Sequence, residues 1–245
     1  MENSVNSKFE FPLEHYLITK NNFDLNKIKE ASILLFDKPF EWTSFKLVKK
    51  IKYLTKANRV GHAGTLDPLA TGLLIIATGK CTKLIEQIQH LPKVYSGTIT
   101  MGNTTPSYDL ETDFDQHFDY SNLTDKQIQE TSQSFVGESL QTPPIYSAVK
   151  VNGTRAYKMA RQGETPEIKS KSIVIDYFKL KNELPNLHFE IKCSKGTYIR
   201  TIAHEFGKRL DNGSHLSSLK RESIGSFNVN NAFDVKEFEE IIREI

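Results

Sequence analysis

The sequence predicts an α+β fold, built on a mixed and largely antiparallel central sheet flanked by helices. Three features point to it: short segments with strand alternation, longer segments with apolar residues at helical spacing, and an order of the two that lacks strict strand–helix–strand alternation. A chain of 245 residues is long enough for one sizeable core or a core plus a small appendage.

Residues 1–30 carry scattered charge and turn formers without a clean period, so they read as an N-terminal extension that lies over the domain or stays partly loose. One domain is expected from 31 to 245. Ile33-Leu34-Leu35-Phe36 is a short apolar run suited to a buried strand, and Thr43 or Ser44 caps a helix whose apolar positions are Phe45, Val48, Ile51 and Leu54. A loop rich in Gly, Thr, Asp and Pro follows from Arg59 to Thr71, then a buried strand at Leu73–Ala77. Tyr95, Gly97, Ile99 and Met101 alternate as strands do, and Thr124 with Gln127 forms a capping box opening a helix. Between them the acidic stretch from Asp109 to Asp119 reads as a solvated loop.

Tyr146–Val151 reads as a strand ended by an Asn152-Gly153 turn, and Arg155–Gln162 as a short helix closed by Gly163. Ser172–Leu180 and Leu187–Cys193 are two alternating runs that form an antiparallel hairpin. Tyr198–Leu210 places Ile199, Ile202, Ala203, Phe206 and Leu210 at helical spacing, and Val235–Arg243 is a last helix-like run.

A formal net charge of +2 admits an anionic partner without demonstrating one. Cys81 and Cys193 lack the C-x-x-C spacing of redox or metal sites and read as free thiols. No stretch has the apolar length of a membrane span, and Met1-Glu2-Asn3-Ser4 lacks the order of a signal peptide, so a cytoplasmic protein is expected.

Gly61-His62-Ala63-Gly64-Thr65-Leu66-Asp67-Pro68-Leu69-Ala70-Thr71-Gly72 is the most informative stretch. Its glycines permit backbone conformations closed to other residues, and Pro68 restricts Asp67 toward an extended conformation, so a carboxylate is displayed on a shaped loop beside a buried strand. On its own, an Asp-Pro pair is also what an ordinary turn contains.

This string resembles the catalytic-loop signature of the TruB family of tRNA pseudouridine synthases, G-H-x-G-x-L-D-P-x-A-x-G. Cys193-Ser194-Lys195-Gly196-Thr197-Tyr198-Ile199-Arg200 resembles a second family motif. Tyr146-Ser147-Ala148-Val149-Lys150 with Ala160-Arg161-Gln162-Gly163 resembles a third, Lys93-Val94-Tyr95 the K-x-Y strand, and Asp37-Lys38-Pro39 with Thr43-Ser44 the first motif. The matches keep family order from about residue 33 to 227.

The resemblance implies a pseudouridine-synthase fold with an inserted RNA-contacting segment, about 143–170, and isomerisation of uridine 55 in the T-arm of tRNA. Such chemistry breaks the bond from C1′ to N1, turns the base, and joins C5 to C1′. It needs no redox change, and neither cofactor nor metal is expected. By resemblance Asp67 acts at C1′, Arg200 keeps it ionised and aimed, and Tyr95 stacks on the flipped base. Tyr198 lines the same pocket, His62 enters the RNA loop where the base had been, and Leu219 and Lys38 complete the substrate contacts. Lys150, Arg155, Lys158, Arg161, Lys195, Lys220 and Arg221 are candidates for the RNA backbone, as is Lys38. Lys46, Lys49, Lys50, Lys52 and Lys56 form a basic face on the first helix.

Two departures stand out. Glu41 occupies the place where the family's first motif has glycine, so that turn must be built without glycine's freedom. Longer members carry a C-terminal PUA domain, for which no room is left after Val235–Arg243, so the catalytic domain and its inserted segment are expected to supply the tRNA contacts, in a monomer with no obligatory protein partner. The rivals are an RNA-binding module without chemistry and an RNA-guided synthase working inside a complex. A zinc deaminase is set aside because its His-x-Glu and Pro-Cys-x-x-Cys pattern is absent.

Overall fold

The computed structural model describes residues 13–160 and 162–245, so the first twelve residues of the expected extension lie outside the described residues. From Leu13 onward the extension is built into the fold. Strand β1 (Leu17–Ile18) pairs in parallel with β2 (Ala31–Lys38), and helix α1 (Leu25–Glu30) starts at Asp24, whose carboxylate accepts from the Asn26 and Lys27 amides. Ile18 and Ile28 reach the core, which is why this segment folds down: their burial outweighs the scattered polarity around them. β2 is the predicted apolar run, and its near-continuous burial suits a strand covered on both faces.

Helix α2 (Ser44–Thr55) is capped by Thr43, whose hydroxyl accepts from the Lys46 amide at 3.0 Å. The face it buries is Leu47, Val48 and Ile51; Phe45, expected in that stripe, is turned outward and exposed. Strand β3 (Val60–His62) and then β4 (Ala70–Gly79) follow, paired antiparallel to each other, with β2 paired to β4 from Ala31↔Gly79 to Lys38↔Gly72. Helix α3 (Ile85–His90) closes this part.

Strand β5 (Lys93–Met101) is the predicted alternating run. A small hairpin, β6 (Asn103–Thr104) with β7 (Gln116–His117), precedes helix α4 (Asp125–Gln133), which begins at the Thr124–Gln127 capping box. After β8 (Gly137–Gln141), β9 (Lys150–Val151) and β10 (Thr154–Arg155) form a hairpin whose turn residues Asn152 and Gly153 both have positive φ, 50° and 84°. The strand expected from Tyr146 is therefore only its last two residues. Helix α5 (Ala156–Ala160) follows. The long hairpin of β11 (Lys171–Glu183) and β12 (Asn186–Cys193) is as predicted, and α6 (Ile199–Arg209) begins at Tyr198. Strand β13 (Ser214–Ile224) is the longest of the elements that sequence periodicity missed, among them α1, α3 and β8: it pairs along the whole of β5, yet buries Ser214, His215 and Arg221 beside its apolar positions. The chain ends in α7 (Val235–Arg243), capped by Asp234.

These elements form two compact units. The first comprises the chain up to Pro68 with Gly72–Gln89 and Phe227–Ile245. Its core joins Phe36, Leu47, Ile51, Leu74 and Ile76 to Phe233 and Phe238, with Phe36 and Phe238 edge to face at 5.0 Å. The second, Leu69–Thr71 with His90–Ser226, carries the antiparallel strand order β13-β5-β12-β11-β8. Phe135, just past α4, Phe178 of β11 and Phe206 of α6 pack there at centroid separations of 6.0–6.1 Å. Both units thus present mostly antiparallel strands flanked by helices, the architecture the sequence predicted.

Glu41 stands at φ 62°, in the left-handed region that the missing glycine would occupy without strain. Its amide donates to the Pro68 carbonyl at 2.9 Å, so the strained turn is also a tether for the Asp67 loop. Glu41→Gly is expected to stabilise the protein by roughly 0.5–1 kcal/mol, the relief of left-handed strain less the extra freedom of the unfolded chain. Glu41→Val should destabilise it, and urea denaturation of the two variants tests the sign; a Gly variant weaker than the parent refutes the strain.

Candidate active site

In the first unit, Asp67 is half-buried on the irregular loop between β3 and β4. The loop is held by backbone groups on either side of the carboxylate. Ser44 clasps Leu66 from both directions, its hydroxyl accepting from the Leu66 amide at 2.8 Å and donating to the Leu66 carbonyl at 3.0 Å. The Pro68 carbonyl accepts from the Glu41 amide and, at 3.3 Å, from the Lys38 ammonium. Upstream, the Ala63 amide donates to the Ile75 carbonyl, and Gly64 takes φ 90°. Downstream, Gly72 takes φ 95° and donates to the Asp37 carboxylate at 3.0 Å. A residue other than glycine would strain both turns, which accounts for Gly64 and Gly72 in the motif.

Lys38 corrects an expectation. It is fully buried, and its ammonium also donates to the Pro39 and Trp42 carbonyls at 2.9 and 2.6 Å. A lysine so enclosed by carbonyls is a clasp for the Asp67 loop and is not placed to meet a phosphate. His62 lies half-buried on β3, opposite Ile76.

In the second unit, Arg200 is 4% exposed in the first turn of α6. Its Nη1 donates to the Tyr146 carbonyl at 2.9 Å and to the Ser107 carbonyl at 3.3 Å, and its Nε lies 3.6 Å from the Asp109 carboxylate. Asp109 is itself 5% exposed, so the stretch read as solvated begins with a buried ion-pair partner. Its place is fixed by several bonds. The Thr105 and Ser107 hydroxyls donate to its carbonyl at 2.7 and 3.1 Å, the Glu111 amide donates to its carboxylate, and the Leu216 amide donates to the Tyr108 carbonyl. One turn on from Arg200, His204 stacks on Tyr108 at 3.9 Å, and burial pushes the Tyr108 phenol up and the His204 imidazole down from their ordinary values. Two residues four apart on α6 thereby hold the segment 105–109. A guanidinium has five N–H donors, so these partners orient Arg200 without exhausting it.

Tyr95 is 9% exposed on β5, between Ile191 of β12 and Arg221 of β13. Tyr198 is half-buried, and its backbone is gripped by a residue that the sequence does not single out: Gln141 accepts from the Tyr198 amide at 2.7 Å and donates to its carbonyl at 3.1 Å. Leu219 faces Gly97 across the β13–β5 ladder; a side chain at Gly97 would meet the Ser218 carbonyl at 2.3 Å, so the close approach of these strands requires glycine.

Of the candidates for the RNA backbone, Lys150, Arg155 and Lys158 are exposed together on β9, β10 and α5, with Lys150 and Arg155 cross-strand partners. Arg161 lies outside the described residues. Lys195 is exposed, with its ammonium 2.6 Å from His90 Nε2, and Lys220 pairs with Glu222 at 3.3 Å. Arg221 is 1% exposed and cannot reach a phosphate. It lies beside buried Lys93, whose pKa is pushed down to about 8 by burial first and by the Arg221 charge second. Cys81 and Cys193 are buried thiols, pushed up to about 11 and about 12 by burial. Among the described residues no helix is long and apolar enough to cross a membrane.

Comparison with solved structures places the fold. A chain of a Cbf5-Nop10-Gar1 complex superposes with a TM-score of 0.70 at 24% identity, over 96% of this chain and 59% of that one. A chain of an H/ACA RNP bound to a substrate RNA containing 2′-deoxyuridine gives 0.67 at 21%, over 90% and 56%. This chain thus spans less than two thirds of either. The fold together with a match to a family model defines the class of pseudouridine synthases. A family model described as TruB family pseudouridylate synthase (N terminal domain) matches residues 52–199. Proteins named tRNA pseudouridine synthase B are similar over most of the chain: that of Flavobacterium johnsoniae is 49% identical over 222 residues, 87% of this chain and 97% of that protein. That of Phocaeicola vulgatus is 45% identical over 219 residues (86% and 93%), and that of Chlorobaculum tepidum 47% over 213 (84% and 89%). The chain belongs to the TruB family of pseudouridylate synthases.

Proposed function

We propose that the protein isomerises uridine 55 in the T-arm of tRNA to pseudouridine, in the cytoplasm, as a monomer that needs no protein partner. Asp67 acts at C1′ of the extruded nucleotide as the bond to N1 breaks; the base turns within its pocket, C5 bonds to C1′, and the proton leaving C5 is balanced by one gained at N1. Tyr95 stacks on the base and accepts the C5 proton, Tyr198 and Leu219 line the pocket, His62 fills the space the base vacates, and Arg200 steadies the carboxylate. Lys150, Arg155 and Lys158, exposed on one hairpin and helix, hold the RNA backbone.

The observation that carries the reading is the Asp67 loop. Six hydrogen bonds to the loop's backbone, two of them from a buried lysine and a strained Glu41, fix a half-buried carboxylate in place. Support for the substrate comes from relatives named for tRNA that are 43–49% identical over most of the chain. The test is an unmodified tRNA transcript incubated with the purified protein alone, with pseudouridine mapped by chemical adduct and primer extension. One new pseudouridine at position 55 is expected; none, or one elsewhere, refutes the assignment.

A further inference from the structure

We propose that the exposed face of α2 is a second RNA-contacting surface, which holds unpaired nucleotides of the substrate RNA next to the target; this rests on the pseudouridine-synthase reading. The face consists of Phe45, Lys46, Lys49, Lys52, Tyr53 and Lys56, the last being the helix's C-cap. At about 100° per residue, Phe45, Lys49, Lys52 and Lys56 fall within roughly 60° of helix surface, and Lys46 and Tyr53 widen the stripe to about 120°. The opposite arc is the buried one, Leu47, Val48 and Ile51. Folding of the unit therefore uses the other side of the helix and leaves this one unexplained.

Two properties of the face ask for an anionic, ring-bearing partner. Phe45 and Tyr53 are 60% and 69% exposed, which forfeits the free energy their burial would give. Among the described residues, Lys46, Lys49, Lys52 and Lys56 have no carboxylate at ion-pair distance, and α2 itself contains no acidic residue, so like charges sit three and four apart against helix stability. Lys50, on the flank, shows the contrast: it turns to Glu239 of α7 at 2.5 Å. Nothing comparable among the described residues neutralises the outer four.

The arrangement is also specific. Lys46 lies over the Trp42 ring at 4.2 Å, Lys49 over Phe45 at 4.9 Å, and Lys56 over Tyr53 at 4.2 Å. Each ammonium is thereby stationed at an aromatic surface, the combination that lets a base stack while its phosphate meets a cation. A membrane-surface helix segregates its apolar residues from its lysines, whereas here both share one face and the apolar arc is inside. Position completes the argument: Ser44, the first residue of α2, clasps Leu66, the neighbour of Asp67, so the helix starts at the catalytic loop and leads about 18 Å away from it. RNA lying on this face continues from the nucleotide that Asp67 addresses.

Three variants test it. One replaces Lys46, Lys49, Lys52 and Lys56 by Gln, one replaces Phe45 and Tyr53 by Ser, and a control replaces Lys126, Lys179, Lys181 and Lys192 by Gln, lysines that already face carboxylates. Affinity for the tRNA transcript is measured by fluorescence anisotropy from 50 to 300 mM KCl. The α2 lysine variant should bind at least about tenfold more weakly, with the slope of log Kd against log salt reduced by roughly 3, about 0.7 for each phosphate that is no longer neutralised. The ring variant should bind about tenfold more weakly with its slope unchanged, and the control, with the same change in net charge, should bind as the parent does. If both α2 variants track the control, the inference fails, whether the face then serves a protein or nothing. A parent protein that forms pseudouridine while the α2 variants bind normally sinks this inference alone; a parent that binds tRNA through α2 without forming pseudouridine sinks only the catalytic reading.

Discussion

Replacing Asp67 by Asn is expected to lower pseudouridine formation by at least about 10⁴-fold, in line with the loss of a group on which the other catalytic residues depend, while leaving tRNA affinity and fold close to those of the parent. Asn keeps the shape of the side chain and removes its charge. An amide neither attacks C1′ nor balances positive charge there, so the step that breaks the bond to N1 loses its agent. The fold should survive because Ser44, Lys38 and Glu41 hold the loop through the backbone of Leu66 and Pro68, which the substitution leaves in place. Single-turnover rates on transcript, taken with a thermal melt, separate the two. Turnover within about tenfold of the parent would remove Asp67 from the chemistry, and a collapsed melt would mean that the carboxylate holds the loop itself.

Much of the scaffold around this loop is legible in the sequence because it rests on local rules. The run at β2, the Thr124–Gln127 capping box, the β11–β12 hairpin and the last helix all follow from periodicity and capping chemistry between near neighbours in the chain. What stays hidden depends on distant partners. Strand β13 does not read as a strand because it buries Ser214, His215 and Arg221, polar groups that only their surroundings make tolerable. Phe45 falls on the wrong arc of α2 because a stripe at 45, 48, 51 and 54 and one at 47, 48 and 51 share two residues, and only tertiary packing decides between them. Lys38 reads as a phosphate contact until the carbonyls of Pro39, Trp42 and Pro68 converge on it. Asp109 hides for the same reason in an acidic stretch, since its partner lies 91 positions away on α6.

That partnership sets the second large effect. Arg200→Met is expected to cost about 3–5 kcal/mol of stability, the usual result of leaving one member of a buried ion pair alone. Three groups lose their partner at once: the Asp109 carboxylate and the carbonyls of Ser107 and Tyr146. The carboxylate is 5% exposed and cannot turn to water without dragging the segment whose carbonyl is bonded by Thr105 and Ser107. Asp109→Asn should be milder, since an amide oxygen still faces the guanidinium and the Glu111 amide keeps an acceptor. The pair Asp109→Asn with Arg200→Met should then cost less than the sum of the singles, because the second change removes a charge the first has stranded. Urea denaturation of the four proteins closes the cycle. Strict additivity would mean that Arg200 and Asp109 do not interact, and that the guanidinium is held without help from that carboxylate. A coupling of about a kilocalorie or more, on the scale usual for contacting residues, joined to slow turnover in Asp109→Asn, would make Asp109 a positioning residue that acts on the reaction through Arg200.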